Sequence, residues 1–290
     1  MARNVRGHFV SQASPWRRAA MAVWRAPNDP TIVGHLEIDA TRALEYVREL
    51  TASSGEHITL THLVTRALGH ALAKHPDCNG YVRLGRLFRR ETVDAFVLVA
   101  APERDGPAAA REVDLSGLKI ERIDQKSVLD IARELGRDVS ALRRGEEREL
   151  RLAKSYVRVL PGTVVRWGLS AVTWLQYEFN LNLERFGVPQ DTFGGALVTN
   201  VGAFGIQSAT AALVPVARFS LVLTIGRLED KPVVRDGQIV VRPVLPISAT
   251  LDHRVVDGFQ AARLASTFEQ ALLDPWSHLG AGPARGAAQP

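Results

Sequence analysis

Ile247-Ser248-Ala249-Thr250-Leu251-Asp252-His253-Arg254-Val255-Val256-Asp257-Gly258 is the stretch on which the reading of this chain turns. An apolar, β-branched run reads as a buried strand, and it ends on an imidazole. Gly258 then opens a helical apolar pattern over Phe259 to Leu273, with Ala262, Leu264, Ala265, Phe268 and Leu272 facing inward. A histidine at such a strand-to-helix corner is rigidly held and faces whatever cleft the corner borders. Its unperturbed pKa suits proton transfer near neutrality. The competing reading is a structural histidine flanked by Asp252 and Asp257, with Arg254 as a surface ion-pair partner.

Other segments point the same way. Gly194-Gly195-Ala196-Leu197-Val198-Thr199-Asn200-Val201-Gly202-Ala203-Phe204-Gly205 joins a paired glycine, a strand and a glycine-rich turn. Ser220 to Gly226 and the Asp236-Gly237 hairpin turn lead into the histidine strand, and His75-Pro76-Asp77-Cys78-Asn79 precedes a core strand from Val93 to Ala100. Asp252 to Gly258 resembles the active-site signature of the dihydrolipoyl acyltransferase components of 2-oxo-acid dehydrogenase complexes. Those share a fold with chloramphenicol acetyltransferase, whose comparable motif has a second histidine where this chain has Asp252. The resemblance covers roughly Arg17 to Pro275, with one residue fewer before Thr199 than in the family.

The resemblance implies an α/β fold with a chloramphenicol acetyltransferase-like mixed sheet flanked by helices, assembled as a homotrimer. It implies acyl transfer between coenzyme A and a thiol acceptor. His253 deprotonates the attacking thiol and the Thr199 hydroxyl stabilises the oxyanion, the two facing each other across a trimer interface. Asp257 joins them as an ion-pairing residue that holds the catalytic loop, against Arg17 or Arg18. Asn200 and Gly202 shape the turn that aims Thr199, and Gly258 relieves crowding where the helix begins. Glu229-Asp230-Lys231 looks like a lipoylation site, but a similar triplet stands at this place in the family's catalytic domains. The expectation is therefore no lipoyl group on this chain, with a dihydrolipoyl acceptor on a separate protein. The rivals are a small-molecule O-acyltransferase, against which Asp252 argues, and a catalytically silent trimeric scaffold.

Composition narrows the field. The chain has 290 residues, 46% hydrophobic, ample for one large core. One cysteine, Cys78, excludes an intramolecular disulfide and a multi-cysteine zinc site, and suits a reducing cytoplasm. Asp77 beside it opposes thiolate formation. No metal is expected. The net charge of +5 comes from scattered arginine, 31 of the 36 basic residues, without a recognition helix or stacking motif, so no nucleic acid is expected as partner. No signal peptide is visible, and the uncharged run Thr192 to Ala217 contains Gly194-Gly195, Asn200, Gln207 and Pro215 and belongs to the core.

Residues 1–14 and 280–290 read as flexible tails around a catalytic domain at 15–279. Helices are expected from about Pro15 to Arg25, at Ala40 to Leu50, at Leu60 to Lys74 with Thr59 or Thr61 as cap, and at Gln125 to Arg144. Strands are expected at Thr31 to Asp39, Ala196 to Asn200, Ser220 to Ile225 and Gln238 to Thr250, the last broken by Pro243 and Pro246. Three features depart from the family. Ala101 to Ala108 is charged where an apolar channel stretch is expected. The C-terminus lacks the apolar anchor that builds cages from trimers. Residues 150–189 form an aromatic-rich insertion with its own helices around Pro161-Gly162, lying outside the core and joined to Thr199 only through Gly194-Gly195. Trp167, Trp174, Tyr156, Tyr177, Arg158, Arg166 and Lys154 suit a lid, a subunit contact, or docking on a membrane surface or partner.

Overall fold

The longest strand, β9 (Gln238–Asp252), organises the domain. The computed structural model describes residues 29–102, 113–144, 161–215 apart from 187 and 189, and 217–280. The expected helix at Pro15 to Arg25, the charged loop to Ala108 beyond Pro102, both tails and residues 150–160 lie outside the described residues. The described residues from Thr31 onward form one compact unit.

One sheet holds β1 (Thr31–Asp39), β4 (Ala95–Pro102), β5 (Val113–Ile120), β6 (Ala196–Asn200), β7 (Leu221–Ile225), β8 (Glu229–Arg235) and β9, in the order β1-β9-β7-β6-β4-β5, with β8 paired to β9. β6 runs parallel to β4 and β7, and all other pairs are antiparallel. A separate hairpin joins β2 (Gly80–Arg83) to β3 (Arg86–Arg89) through Leu84 and Gly85, both at positive φ. The helices are α1 (Thr41–Ser54), α2 (Leu60–Lys74), α3 (Val128–Arg144), α4 (Gly162–Tyr177), α5 (Gly258–Leu273) and the short α6 (Pro275–Leu279).

The expected break in the last strand does not occur. β9 trades partners instead: it pairs with β8 up to Val244 and with β7 from Ile247. Pro246 falls at the changeover, where no partner on that side needs its missing N–H. Its carbonyl accepts from Gly226 N at 2.9 Å.

The side chains of each strand alternate between two environments. Val97, Val198, Leu223, Ile247 and Ile38 face α2, α3 and α5 in the main core with Leu68, Leu72 and Phe268. Leu197, Val222 and Phe219 face the other way, in a smaller cluster with Phe96 and Phe193. The sheet is mixed and flanked by helices, as the resemblance implied.

Helix starts follow from their caps. Thr59 caps α2, with His62 completing a capping box: Thr59 N donates to His62 Nδ1 at 3.2 Å. Ser127 and Asp130 exchange backbone donors at 3.1 Å each, so α3 begins at Val128 rather than Gln125.

His62 accepts in that box only while its ring is neutral, and burial, followed by the charge of His57, lowers its pKa to about 4. Unfolded, the ring binds its proton near 6.5. Between these values the unfolded state holds more protons, so the contribution is complete above about pH 6.5 and fades as pH falls toward 4. Glutamine at this site keeps an acceptor and does not titrate. The wild-type melting temperature should therefore fall more steeply than that of His62→Gln between pH 6.5 and 4.5. Parallel profiles would contradict the role given to His62.

Candidate functional site

The histidine corner is built by the end of β9. Asp252 N donates to Ser220 O at 3.0 Å, and the Asp252 carbonyl accepts from both Val255 N and Val256 N at 2.9 Å, folding the chain back at once. Asp252 is buried, its side chain 7% exposed. It accepts from Arg254 N at 3.0 Å and grips the guanidinium through Nε at 2.9 Å and Nη2 at 2.6 Å. The arginine is half exposed, so solvent weakens this pair; its effect is to fix the turn.

His253 projects from that turn into solvent. Its Nδ1 lies 3.0 Å from Val256 O. A carbonyl only accepts, so Nδ1 carries the proton and the neutral ring presents the lone pair of Nε2 outward. Nε2 has no hydrogen-bond partner among the described residues. The Arg254 pair foreseen in the structural reading is present, but its partner is Asp252, and it leaves the imidazole free.

Asp257 caps α5. Its Oδ1 accepts from Gln260 N at 2.8 Å, and Gln260 Oε1 accepts from Asp257 N at 2.9 Å. Gln260 Nε2 also donates to Asp77 Oδ2 at 2.8 Å, tying the corner to the end of α2. The expected ion-pair partners Arg17 and Arg18 lie outside the described residues. Cys78 is buried beside this tie, and burial, then Asp77, pushes its thiol up to about 12, as a spectator.

Thr199 lies at the other end of the sheet. It is 9% exposed, on the face opposite the helices. Asn200 fixes the turn beyond it: Nδ2 donates to Thr61 Oγ1 at 3.0 Å, and Oδ1 accepts from Ala203 N at 3.1 Å. Gly202 lets this turn close, since a Cβ there would stand 2.4 Å from Gly226 O. Gly258 is a correction: a Cβ there meets nothing within 4 Å, so within one chain it relieves no crowding.

Register sets the distance between the two residues. Thr199 is paired with Thr224, and Thr224 with Ser248. Asp252 lies four residues beyond Ser248, about 13 Å along the strand. Within one chain, therefore, His253 and Thr199 do not share a site.

The same register exposes neighbours that sequence reasoning missed. Thr199, Thr224, Ser248 and His35 form a row across four strands on one face. His35 Nδ1 and Ser248 Oγ are 2.9 Å apart, and the buried Thr224 hydroxyl has no partner among the described residues. The polar residues Ser248, Thr250 and Asp252, at every second position of an otherwise apolar strand, were the available signal.

The insertion and the histidine corner border a common cavity. Tyr177 Oη donates to Asp191 Oδ1 at 2.9 Å, and that carboxylate also pairs with the buried Arg90. Glu178 accepts from Arg218 Nη2 at 2.8 Å, from Leu84 N at 2.6 Å and, through its carbonyl, from Arg83 Nε at 3.0 Å. Glu178, Arg218 and Arg254 border one cavity with Leu84, Gly85 and Leu87 of the hairpin.

Fold and corner together define an α/β domain that presents a lone imidazole at a strand end and a buried hydroxyl at the opposite end. Residues 188–279, which contain both, match the 2-oxoacid dehydrogenases acyltransferase (catalytic domain) family, the family whose signature the sequence resembles. The acetyltransferase component of the acetoin cleaving system of Bacillus subtilis (strain 168) is 25% identical over 83% of this chain and 48% of its own length. The chain thus spans about half of that relative. In structure it is similar to a probable dihydrolipoamide acetyltransferase from Listeria monocytogenes 4b F2365 (TM-score 0.62, 17% identity, 96% of this chain and 98% of that one). It is also similar to the dihydrolipoamide acetyltransferase of Azotobacter vinelandii (TM-score 0.60, 22% identity, 87% and 85%).

The two glycines should behave oppositely. Gly202→Ala forces backbone apart and should cost about 1–3 kcal/mol, whereas Gly258→Ala should leave stability unchanged or raise it by up to about 1 kcal/mol. Urea melts of both variants decide; the reverse order would refute the close approach of the Gly202 and Gly226 turns.

Proposed function

We propose that the chain transfers acyl groups between coenzyme A and a thiol acceptor, and that its active unit is a homotrimer. The observation that carries this is the tethering of His253 Nδ1 to Val256 O, which leaves Nε2 as a free base at a fixed corner. The matched family and the names of the relatives, which act on a dihydrolipoyllysine residue, support a dihydrolipoyl acceptor, here on a separate protein. The Azotobacter structure was determined to define the catalytic roles of a serine, a histidine and an asparagine four positions after the histidine. His253 and Asp257 have that spacing, and Thr199 supplies a hydroxyl as serine does.

His253 Nε2 takes the proton of the attacking thiol. The thiolate adds to the thioester carbonyl, and the negative oxygen accepts from the Thr199 hydroxyl. The intermediate collapses, the carbon–sulfur bond to the first thiol breaks, and the departing sulfur recovers the proton from His253. Because register separates the two residues within a chain, His253 of one copy works with Thr199 of the next. A single buried cysteine suits a cytoplasmic setting.

With acetyl-coenzyme A and free dihydrolipoamide, His253→Ala should slow turnover by about 100- to 10,000-fold. Thr199→Val, which keeps the β-branched shape, should lose roughly 3 kcal/mol of transition-state stabilisation. Mixing the two inactive variants under conditions of subunit exchange should restore part of the activity, since hybrid rings contain an intact site. Full turnover by folded His253→Ala would defeat the proposal; failure of the mixture alone would defeat only the shared site.

A further inference from the structure

α4 carries one charged residue, Arg166, among sixteen. Val164, Trp167, Ala171 and Trp174 fall on one stripe at helical spacing and are all exposed, Trp167 at 75% and Trp174 at 52%. Gly168, Leu169 and Ser170 are exposed as well, so more than a full turn looks to solvent on every side. A helix this apolar all round needs cover. Helices that lie on anionic membranes present a strongly cationic face, and α4 has none. No described helix is long and apolar enough to cross a membrane. Aromatic side chains spaced by small residues are instead what a protein surface packs against.

Position identifies the occupant. The Glu178 clamp fixes the end of α4 at the corner that carries His253 and Arg254. At the opposite end of the sheet, the turn after Thr199 exposes Phe204 and Ile206, each to about half. A head-to-tail contact that brings Thr199 of one copy to His253 of another also brings that turn to the end where α4 stands. We propose that the Trp167–Trp174 stripe of one copy packs on the Phe204–Ile206 turn of the next, making the insertion a subunit contact that walls the shared site. This rests on the shared-site reading given above and adds to it a partner surface.

The test uses the full chain. Trp167→Glu with Trp174→Glu alters exposed side chains only, and an unchanged circular dichroism spectrum and melt verify folding. Sedimentation across a concentration series should then show the trimer dissociating at a concentration about tenfold or more above that of wild type, with acyl transfer falling in step with the trimer population. A Trp174→Cys, Phe204→Cys double variant should give covalent dimers and trimers on oxidation, since native Cys78 is buried. A glutamate variant that assembles like wild type, together with no cross-link, overturns the contact while leaving the shared site standing. A wild-type chain that is monomeric yet active overturns the shared site itself, and this contact with it. Binding of the wild type to phosphatidylserine vesicles that the glutamate variant loses, without any change in assembly, assigns the stripe to a membrane and likewise overturns the proposal.

Discussion

The end of β9 is the constraint on which the rest depends. One residue, Asp252, closes the sheet through its amide, turns the chain through its carbonyl and locks the turn through its carboxylate on Arg254. Because all three groups of one residue are committed, the next residue has little freedom, and His253 is aimed without a packed pocket of its own. The Asp257 cap then starts α5 in a fixed direction, and its box with Gln260 carries the constraint on to Asp77 and the end of α2. A corner of this kind positions a base by backbone geometry, which changes in surrounding side chains disturb little.

Much of this was legible locally. The run before His253, the cap at Thr59 and the strands at Thr31 to Asp39 and Ala196 to Asn200 follow from patterns within a few residues. What was not legible depends on partners distant in the chain. Pro246 reads as a breaker until β9 is seen to change neighbours there. The hairpin of β2 and β3 is hidden by its arginines, although Leu84-Gly85 is a two-residue turn signal. Crowding at Gly258 was inferred from the family alone, and the space around it is open. That His253 and Thr199 belong to different sites within one chain was implied by the resemblance, while the length of their separation is a matter of strand register, which no local string encodes.

The insertion shows the same division. Its aromatic content was evident from sequence, and so was its helix. That its end would clamp the hairpin was not, because Glu178 finds Leu84, Arg83 and Arg218 only once three distant segments are folded together. Arg90 stacks over Tyr81 and pairs with Asp191, so one buried cation links the hairpin to the segment leading into β6.

The pairing of β1 with β9 also bears on how the chain is made. Thr31 is opposite Asp252, 221 positions further along the sequence. At ordinary synthesis rates, roughly 5–20 residues per second, β1 waits about 10–45 s for its partner to be translated. Until then β1 lacks its only sheet neighbour among the described residues, and β7 cannot link it to β6. Such non-local closure makes folding slow and leaves strand edges open to other chains. Newly made protein should therefore depend on holding chaperones at the ribosome, a dependence set by topology and separate from the stability of the finished fold.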